Sequence, residues 1–265
     1  MDFQTIELDR PKDGIVVVTL HRPDRMNAMT AEMFYELEAL TSALIDDDAL
    51  RVLILTGKGK AFCAGYDLDE ADELATLTPM QMLDLQELAV RALLAVRTVR
   101  VPVIAAVNGA AAGGGLSLAL AADIRLASES ATFNAAFVRI GLSAGDLGAS
   151  WLLPRLIGPA RASEIAFTGR LVDAAEAERI GLVNRVVPEA GLLDAAIDLA
   201  ASICENSPAG VRLSKRALQA NQEIPSYAAA LELENRGQVL LTRGADMPEA
   251  LAAFRQRRPA NFTGR

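Results

Sequence analysis

Apolar positions along this chain follow two different periods. TIEL, GIVVVTL, RVLILTG and VPVIAAVNG are β-branched runs closed by turn residues, which predicts strands. Between them, residues 30–45 and 79–97 space their apolar side chains three and four apart, which predicts helices. This alternation of strand and helix implies βαβ-type crossovers. Beyond about residue 190 the character changes: DLAASICE, VRLSKRALQ, YAAALELENRGQVLLT and PEALAAFRQR are strong helix formers punctuated by proline and glycine. With no repeat, low-complexity tract or long linker, a soft boundary near residue 195 divides a core domain (1–195) from a helical segment (196–265).

Composition narrows the class. At 265 residues the chain exceeds a common domain size, yet layered α/β folds run this long as one unit, and 51% hydrophobic residues supply a substantial core. A formal charge of -8 argues against a nucleic-acid footprint, which needs cations clustered on one face. Cys63 and Cys204 are far apart and lack CxxC or metal-ligand spacing, so they read as two thiols in a reducing compartment. HxE, HExxH and EF-hand patterns are absent, and no metal is expected. The N-terminal MDFQTIELDR has neither a basic region nor a long apolar core, so no signal peptide or membrane span is expected, and the cytoplasm is the default location.

The chemistry concentrates in two glycine-flanked stretches, AFCAGYDLDE at 61–70 and PVIAAVNGAAAGGGLSLALAADI at 102–124. Each follows an apolar run and leads into a helix former, so each can present bare backbone N–H groups at a helix start. Two such places can grip one oxygen, which is the layout of an oxyanion hole. Gly65 permits a tight turn and close approach of a ligand. The bland readings are an ordinary strand-turn-helix for the first stretch, and close packing of helix on strand for the triple glycine. Packing and ligand approach can coexist, because both exploit a missing Cβ.

Both stretches resemble the signature of the crotonase superfamily, the enoyl-CoA hydratases and isomerases. HRPDRMNAMT at 21–30 resembles the family's opening strand-to-helix turn, RVLILTGKGKAFCAGYDL its first oxyanion loop and VNGAAAGGG its second. GRLVDAAEAERIGLVNRVV at 169–187 and AFRQRRPANF at 253–262 also match, so the resemblance covers nearly the whole chain. It implies an α/β fold, a crotonase-like spiral of ββα units with a C-terminal helical trimerisation region. It also implies an acyl-CoA thioester substrate, with coenzyme A belonging to the substrate and no separate cofactor, and a homotrimer or homohexamer with neither nucleic acid nor membrane as partner. The resemblance puts one oxyanion donor on the N–H of Tyr66 and the other on the N–H of Gly114, where the helix dipole adds roughly half a positive charge. Arg25, Ala28, Ala64 and Leu68 would line coenzyme A together with Tyr66 and Gly114, Arg25 facing a phosphate. Arg257, with Phe254 beside it, matches a position that reaches the coenzyme A of a neighbouring subunit; the other reading of RQRR is a solvated helix end.

The proton carriers depart from the family pattern. Hydration uses two glutamates, one to activate water and one to protonate carbon, and this chain has Ser117 and Phe137 at those positions. Losing such a group costs about 10² to 10⁴ in rate. Asp146, in GLSAGDLGASWLLPRLIG, lies on the loop where some family isomerases carry a catalytic aspartate. Two roles stand open for it: shuttling a proton between the α- and γ-carbons of an enoyl thioester, or capping the following helix. The phenol of Tyr66 shapes the acyl or pantetheine wall and hydrogen-bonds a substrate or nothing; Tyr66, Phe137 and Trp151 together point to a bulky or long acyl group. His21, Asp67 and Asp123 read as structural, Asp67 as a helix cap that fixes its loop. The expectation is an enoyl-CoA isomerase or an atypical hydratase. Thioester hydrolysis or decarboxylation over the same oxyanion hole is the alternative within this chemistry, and a non-catalytic CoA-binding or scaffold protein the alternative outside it.

Overall fold

The computed structural model describes residues 3–74 and 76–265, apart from the side chains of 71–73, so Met1 and Asp2 of the N-terminal segment lie outside the described residues. β1 (Ile6–Lys12) and β2 (Ile15–Leu20) form an antiparallel hairpin, followed by α1 (Ala31–Ile45). A strand, a short strand and a helical segment then recur. The first round is β3 (Val52–Gly57), β4 (Ala61–Cys63), α2 (Leu68–Leu74) and α3 (Pro79–Thr98). The second is β5 (Val103–Val107), β6 (Ala110–Ala112) and α4 (Gly114–Ala121). The third is β7 (Ile124–Ser128), β8 (Thr132–Asn134), α5 (Ala149–Ile157) and α6 (Pro159–Thr168). β9 (Leu171–Asp173), α7 (Ala174–Ile180) and β10 (Arg185–Val187) close the sheets, and α8 (Leu192–Cys204), α9 (Pro208–Asn221), α10 (Tyr227–Leu241) and α11 (Asp246–Gln256) complete the chain.

The five longer strands and the short β10 join a six-stranded sheet in the order β1-β2-β3-β5-β7-β10, and the other short strands join a second sheet in the order β4-β6-β8-β9. Each round places one strand in each sheet before a helix returns, so the chain advances as a spiral of ββα units. From β2 to β10 the large sheet is parallel, which requires both faces to be covered. One face packs Leu53, Leu55, Val103 and Ala105 among Met33, Phe34 and Leu37 of α1 and Leu88, Ala92 and Leu93 of α3. The other packs Val52, Ile54, Ile104 and Leu126 against Leu192, Ala196 and Ala200 of α8. Burial on two sides is why these strands read as continuous apolar runs. The boundary near residue 195 falls inside α8, the helix that covers this second face.

Side chains set the helix starts. Thr30 accepts the N–H of Met33 at 3.2 Å ahead of α1. Thr78 and Gln81 form a reciprocal capping box ahead of α3, with Pro79 in the first turn, where its missing N–H costs nothing. Lys215 on α9 is buried and donates to Asp123 and to the Val101 carbonyl, both at 2.8 Å, tying the C-terminal helices to the sheet. Among the described residues no helix is long and apolar enough to cross a membrane.

Candidate active site

The first glycine loop leaves β4 with Gly65 at φ +95°, a conformation that L side chains rarely adopt. It is tied to the segment before α1 by three backbone bonds: Ala64 N–H to Met26 O at 3.0 Å, Met29 N–H to Gly65 O at 2.7 Å, and Asp67 N–H to Met29 O at 2.9 Å. These bonds pass over the Tyr66 amide. Asp67 is buried and accepts from Arg22 at 2.8 Å, from Arg25 at 3.1 Å and from the Asp69 N–H at 3.1 Å at the start of α2. Burial alone would raise its carboxyl, but bonds from Arg25, Arg22 and the backbone outweigh burial and hold it below the usual range. Asp67 is therefore the loop-fixing cap that the sequence suggests. Fully buried Asn27 clamps the same region, accepting from Arg22 N–H at 2.9 Å and donating to the carbonyls of Lys58 at 2.9 Å and Ala61 at 2.8 Å.

The second loop divides its three glycines among three tasks. Gly113 has φ +53° and donates its N–H to Asn134 O at 2.9 Å. Gly115 lies flat on β4: a Cβ there would stand 2.0 Å from the Cys63 carbonyl oxygen. Gly114, the first residue of α4, faces the first loop, for a Cβ on Gly65 would stand 3.4 Å from the Gly114 nitrogen and 2.7 Å from Ala112 O. Among the described residues neither the Tyr66 N–H nor the Gly114 N–H has a protein acceptor. Two unpaired donors on abutting loops can receive one oxygen.

Across from these loops lies the 141–148 turn. The Asp146 carboxylate accepts a short hydrogen bond from Gln86 Nε2 of α3. Its pKa is raised above the usual carboxylate range by burial, against the opposing bonds from Gln86 and the Leu147 N–H. The capping alternative for Asp146 does not hold: α5 begins behind Gly148 with no side-chain cap, and only the backbone carbonyl of Asp146 serves the turn, accepting the Ala149 N–H at 2.9 Å. The next residue, Leu147, has φ +46°, a strained conformation for a branched side chain, and its Cδ1 would stand 3.3 Å from a Cβ on Gly114. Ser117 is fully buried with its Oγ directed to the Asp146 carbonyl at 3.4 Å. Phe137 is buried with its ring edge facing Gly113. The Tyr66 ring packs against Phe34 at 5.6 Å between centroids, and its phenol is pushed up to about 12 by burial and by the charges of Glu70 and Asp146.

The structure thus brings Tyr66, Gly114 and Asp146 together, and gathers Arg25, Ala28, Ala64 and Leu68 along the rim of the first loop. Arg25 is held by Asp67 and Asp69. Ala28 is buried, and its carbonyl accepts from Arg22 at 2.6 Å, while Leu68 is exposed. Phe254 and Arg257 stand exposed at the end of α11, on the surface of the single chain. His21 pairs with Glu7 at 2.9 Å, and Asp123 accepts the Val103 N–H at 2.8 Å, both as structural residues. Trp151 departs from the expected apolar wall: its ring lies under the guanidinium groups of Arg155, at 3.7 Å, and Arg97, at 5.4 Å, a cationic setting. Cys63 and Cys204 are free thiols, and burial pushes Cys63 up to about 12, leaving it unreactive. Gln86 and Asn27 escaped sequence reasoning. The first is one polar position in an amphipathic helix, and the second lies in a short turn whose left-handed backbone, φ +55° at Asn27 and φ +51° at Met26, involves no glycine to mark it.

Residues 10–265 match the sequence profile described as Enoyl-CoA hydratase/isomerase. The chain is 45% identical to the probable enoyl-CoA hydratase EchA12 of Mycobacterium tuberculosis, covering 97% of this chain and 92% of that protein. Its fold superposes on an enoyl-CoA hydratase from Bacillus anthracis with a TM-score of 0.94 at 35% identity, covering 99% of this chain and all of the other (100%). A monofunctional enoyl CoA isomerase from M. smegmatis is 44% identical, with a TM-score of 0.75 over 86% of this chain and 98% of that one.

Proposed function

Because the chain belongs to the enoyl-CoA hydratase/isomerase family and so is an enzyme of acyl-CoA thioesters, we propose that it shifts the double bond of an enoyl-CoA with Asp146 as its single proton carrier. The observation that carries this reading is the half-buried Asp146 carboxylate beside the loops of the two unpaired N–H groups, its charge acting on Tyr66 and its neighbour Leu147 packed toward Gly114, with Ser117 and Phe137 standing where hydration would use glutamates. The likeness to a monofunctional isomerase supports it as well.

In this scheme the thioester oxygen accepts from the N–H groups of Tyr66 and Gly114. From a 3-enoyl ester the Asp146 carboxylate takes a proton from the α-carbon, and the electron pair of that C–H bond moves onto the thioester oxygen as a dienolate. The carboxylic acid then gives the proton to the γ-carbon as the oxygen returns its pair, leaving the double bond between the α- and β-carbons, so nothing is gained or lost. Each backbone donor contributes roughly 2.7 to 4 kcal/mol to the barrier reduction. Burial favours the neutral form of Asp146, which brings its proton affinity nearer to that of its carbon acid substrate. Arg25, Ala28, Ala64 and Leu68 line coenzyme A, which belongs to the substrate, so no separate cofactor enters the scheme. A phosphate at Arg25 competes with exposed Asp69 for that cation. Phe254 and Arg257 serve the coenzyme A of a neighbouring copy in a cytoplasmic homotrimer or homohexamer.

The test follows a 3-enoyl-CoA by mass spectrometry in heavy water, with wild type beside Asp146→Asn. Deuterium uptake without added water mass is expected, with the rate down about 10² to 10⁴ in the variant. Addition of water that survives in Asp146→Asn overturns the proposal.

A further inference from the structure

The Tyr66 hydroxyl is a buried polar atom with no hydrogen-bond partner among the described residues. Its surroundings make this costly and specific. The ring is already packed against Phe34 and the core, so phenylalanine would keep every apolar contact and remove an unsatisfied hydroxyl. Of the other polar groups around the donor loops, Asp146 is committed to Gln86, the Ser117 Oγ to the Asp146 carbonyl and Asp67 to two arginines, while the buried Asn134 Oδ1 is also unpartnered but is an acceptor and offers no proton. Phe137 adds only apolar surface. With its phenol pushed up to about 12, Tyr66 stays protonated at any working pH and offers a donor.

We infer that the Tyr66 hydroxyl is a specificity determinant, donating to an oxygen atom on the acyl group, so that this enzyme takes acyl-CoA esters oxygenated beyond the thioester carbonyl rather than plain alkenoyl esters. This rests on the reading that the Tyr66 and Gly114 loops hold the thioester. One tyrosine then serves twice, its backbone at the reacting carbonyl and its phenol further along the acyl chain. A pocket with a buried donor rejects substrates lacking the matching acceptor more strongly than an apolar pocket can select by size, because the unmatched donor stays unpaired in the complex.

The experiment measures kcat/KM for a panel of 3-enoyl-CoA esters of one chain length, unsubstituted or carrying a hydroxyl, keto or epoxide oxygen at successive positions, with wild type and Tyr66→Phe. Wild type should prefer at least one oxygenated ester by tenfold or more. Tyr66→Phe should lower that ratio at least tenfold while melting at the same or a higher temperature. Absence of any oxygenated preference in wild type, a preference ratio preserved in the variant, or a melting temperature lowered by several degrees would overturn the inference. Its failure is distinct from failure of the isomerase reading, since on that reading Asp146→Asn slows turnover of every ester by about 10² to 10⁴ whether or not Tyr66 selects among them.

Discussion

Asp146 shows how a single carboxylate acquires its working range from its neighbours. Burial raises its pKa above that of a free carboxylate, and the bond from Gln86 opposes that shift. As a base it acts when charged, so kcat/KM should rise with pH through a limb displaced upward from that of a free carboxylate. Gln86→Leu removes the donor that favours the charged form. The limb should then move to still higher pH, and activity below it should fall. A pH profile of both proteins decides this; a uniform loss of rate with the limb unmoved would mean that Gln86 only packs α3. Of this pair, Asp146 was singled out in the sequence because its loop resembles the one on which some family isomerases carry an aspartate. Gln86 was not, since a helix surface carries many polar residues and only the tertiary fold selects the one that faces the site. Trp151 misled for the converse reason: an aromatic residue near the loop reads as wall, but its ring is enclosed by two arginines brought in from α3 and α5.

At the level of elements, β2, β3 and β5 were plain in the sequence because burial on both faces of a parallel sheet forces uninterrupted apolar runs, whereas β7, whose IRLAS carries a buried arginine, was not. Nor was the second sheet. Its strands AFC, AAA, TFN and LVD are three residues each, too short for any period to register; the first three each follow a longer strand that has already fixed their direction, and LVD, entering from α6, pairs antiparallel with TFN. Their spacing from the helices depends on glycine. Gly115→Ala would drive a methyl against the Cys63 backbone of β4, which cannot yield as a side chain could. Overpacking of this kind costs about 1–3 kcal/mol or more, and the melting temperature should fall by several degrees. Gly114→Ala meets only the side-chain ends of Met29 and Leu147, at 3.1 and 3.3 Å, and should be much better tolerated in the same thermal melt. Equal losses at the two positions would contradict this division of the glycine run.

The whole molecule has an unfinished surface. Tyr227 on α10 is 79% exposed and Phe254 on α11 is 84% exposed, and Leu218, Val239 and Leu240 stand out of the same C-terminal helices. Apolar side chains at this density fit the face that the proposed homotrimer or homohexamer would cover. Light scattering should therefore give a mass three or six times the 28.1 kDa of the chain, and paired Tyr227→Glu and Leu240→Glu changes should lower it. A monodisperse single chain in solution would contradict this. The sequence announced the helices but not which of their faces lies bare, because that depends on how α9 is seated by the Lys215 and Asp123 pair.

Trp151 is the only tryptophan in the protein, and it sits beneath Arg97 and Arg155, both of which border the cavity of about 960 Å³ shared with Lys215, Leu218 and Gln219 of α9. Nature has thereby installed one fluorophore at the seam between the catalytic spiral and its C-terminal helices. Its emission colour and quenching report, without any label, whether those helices are docked.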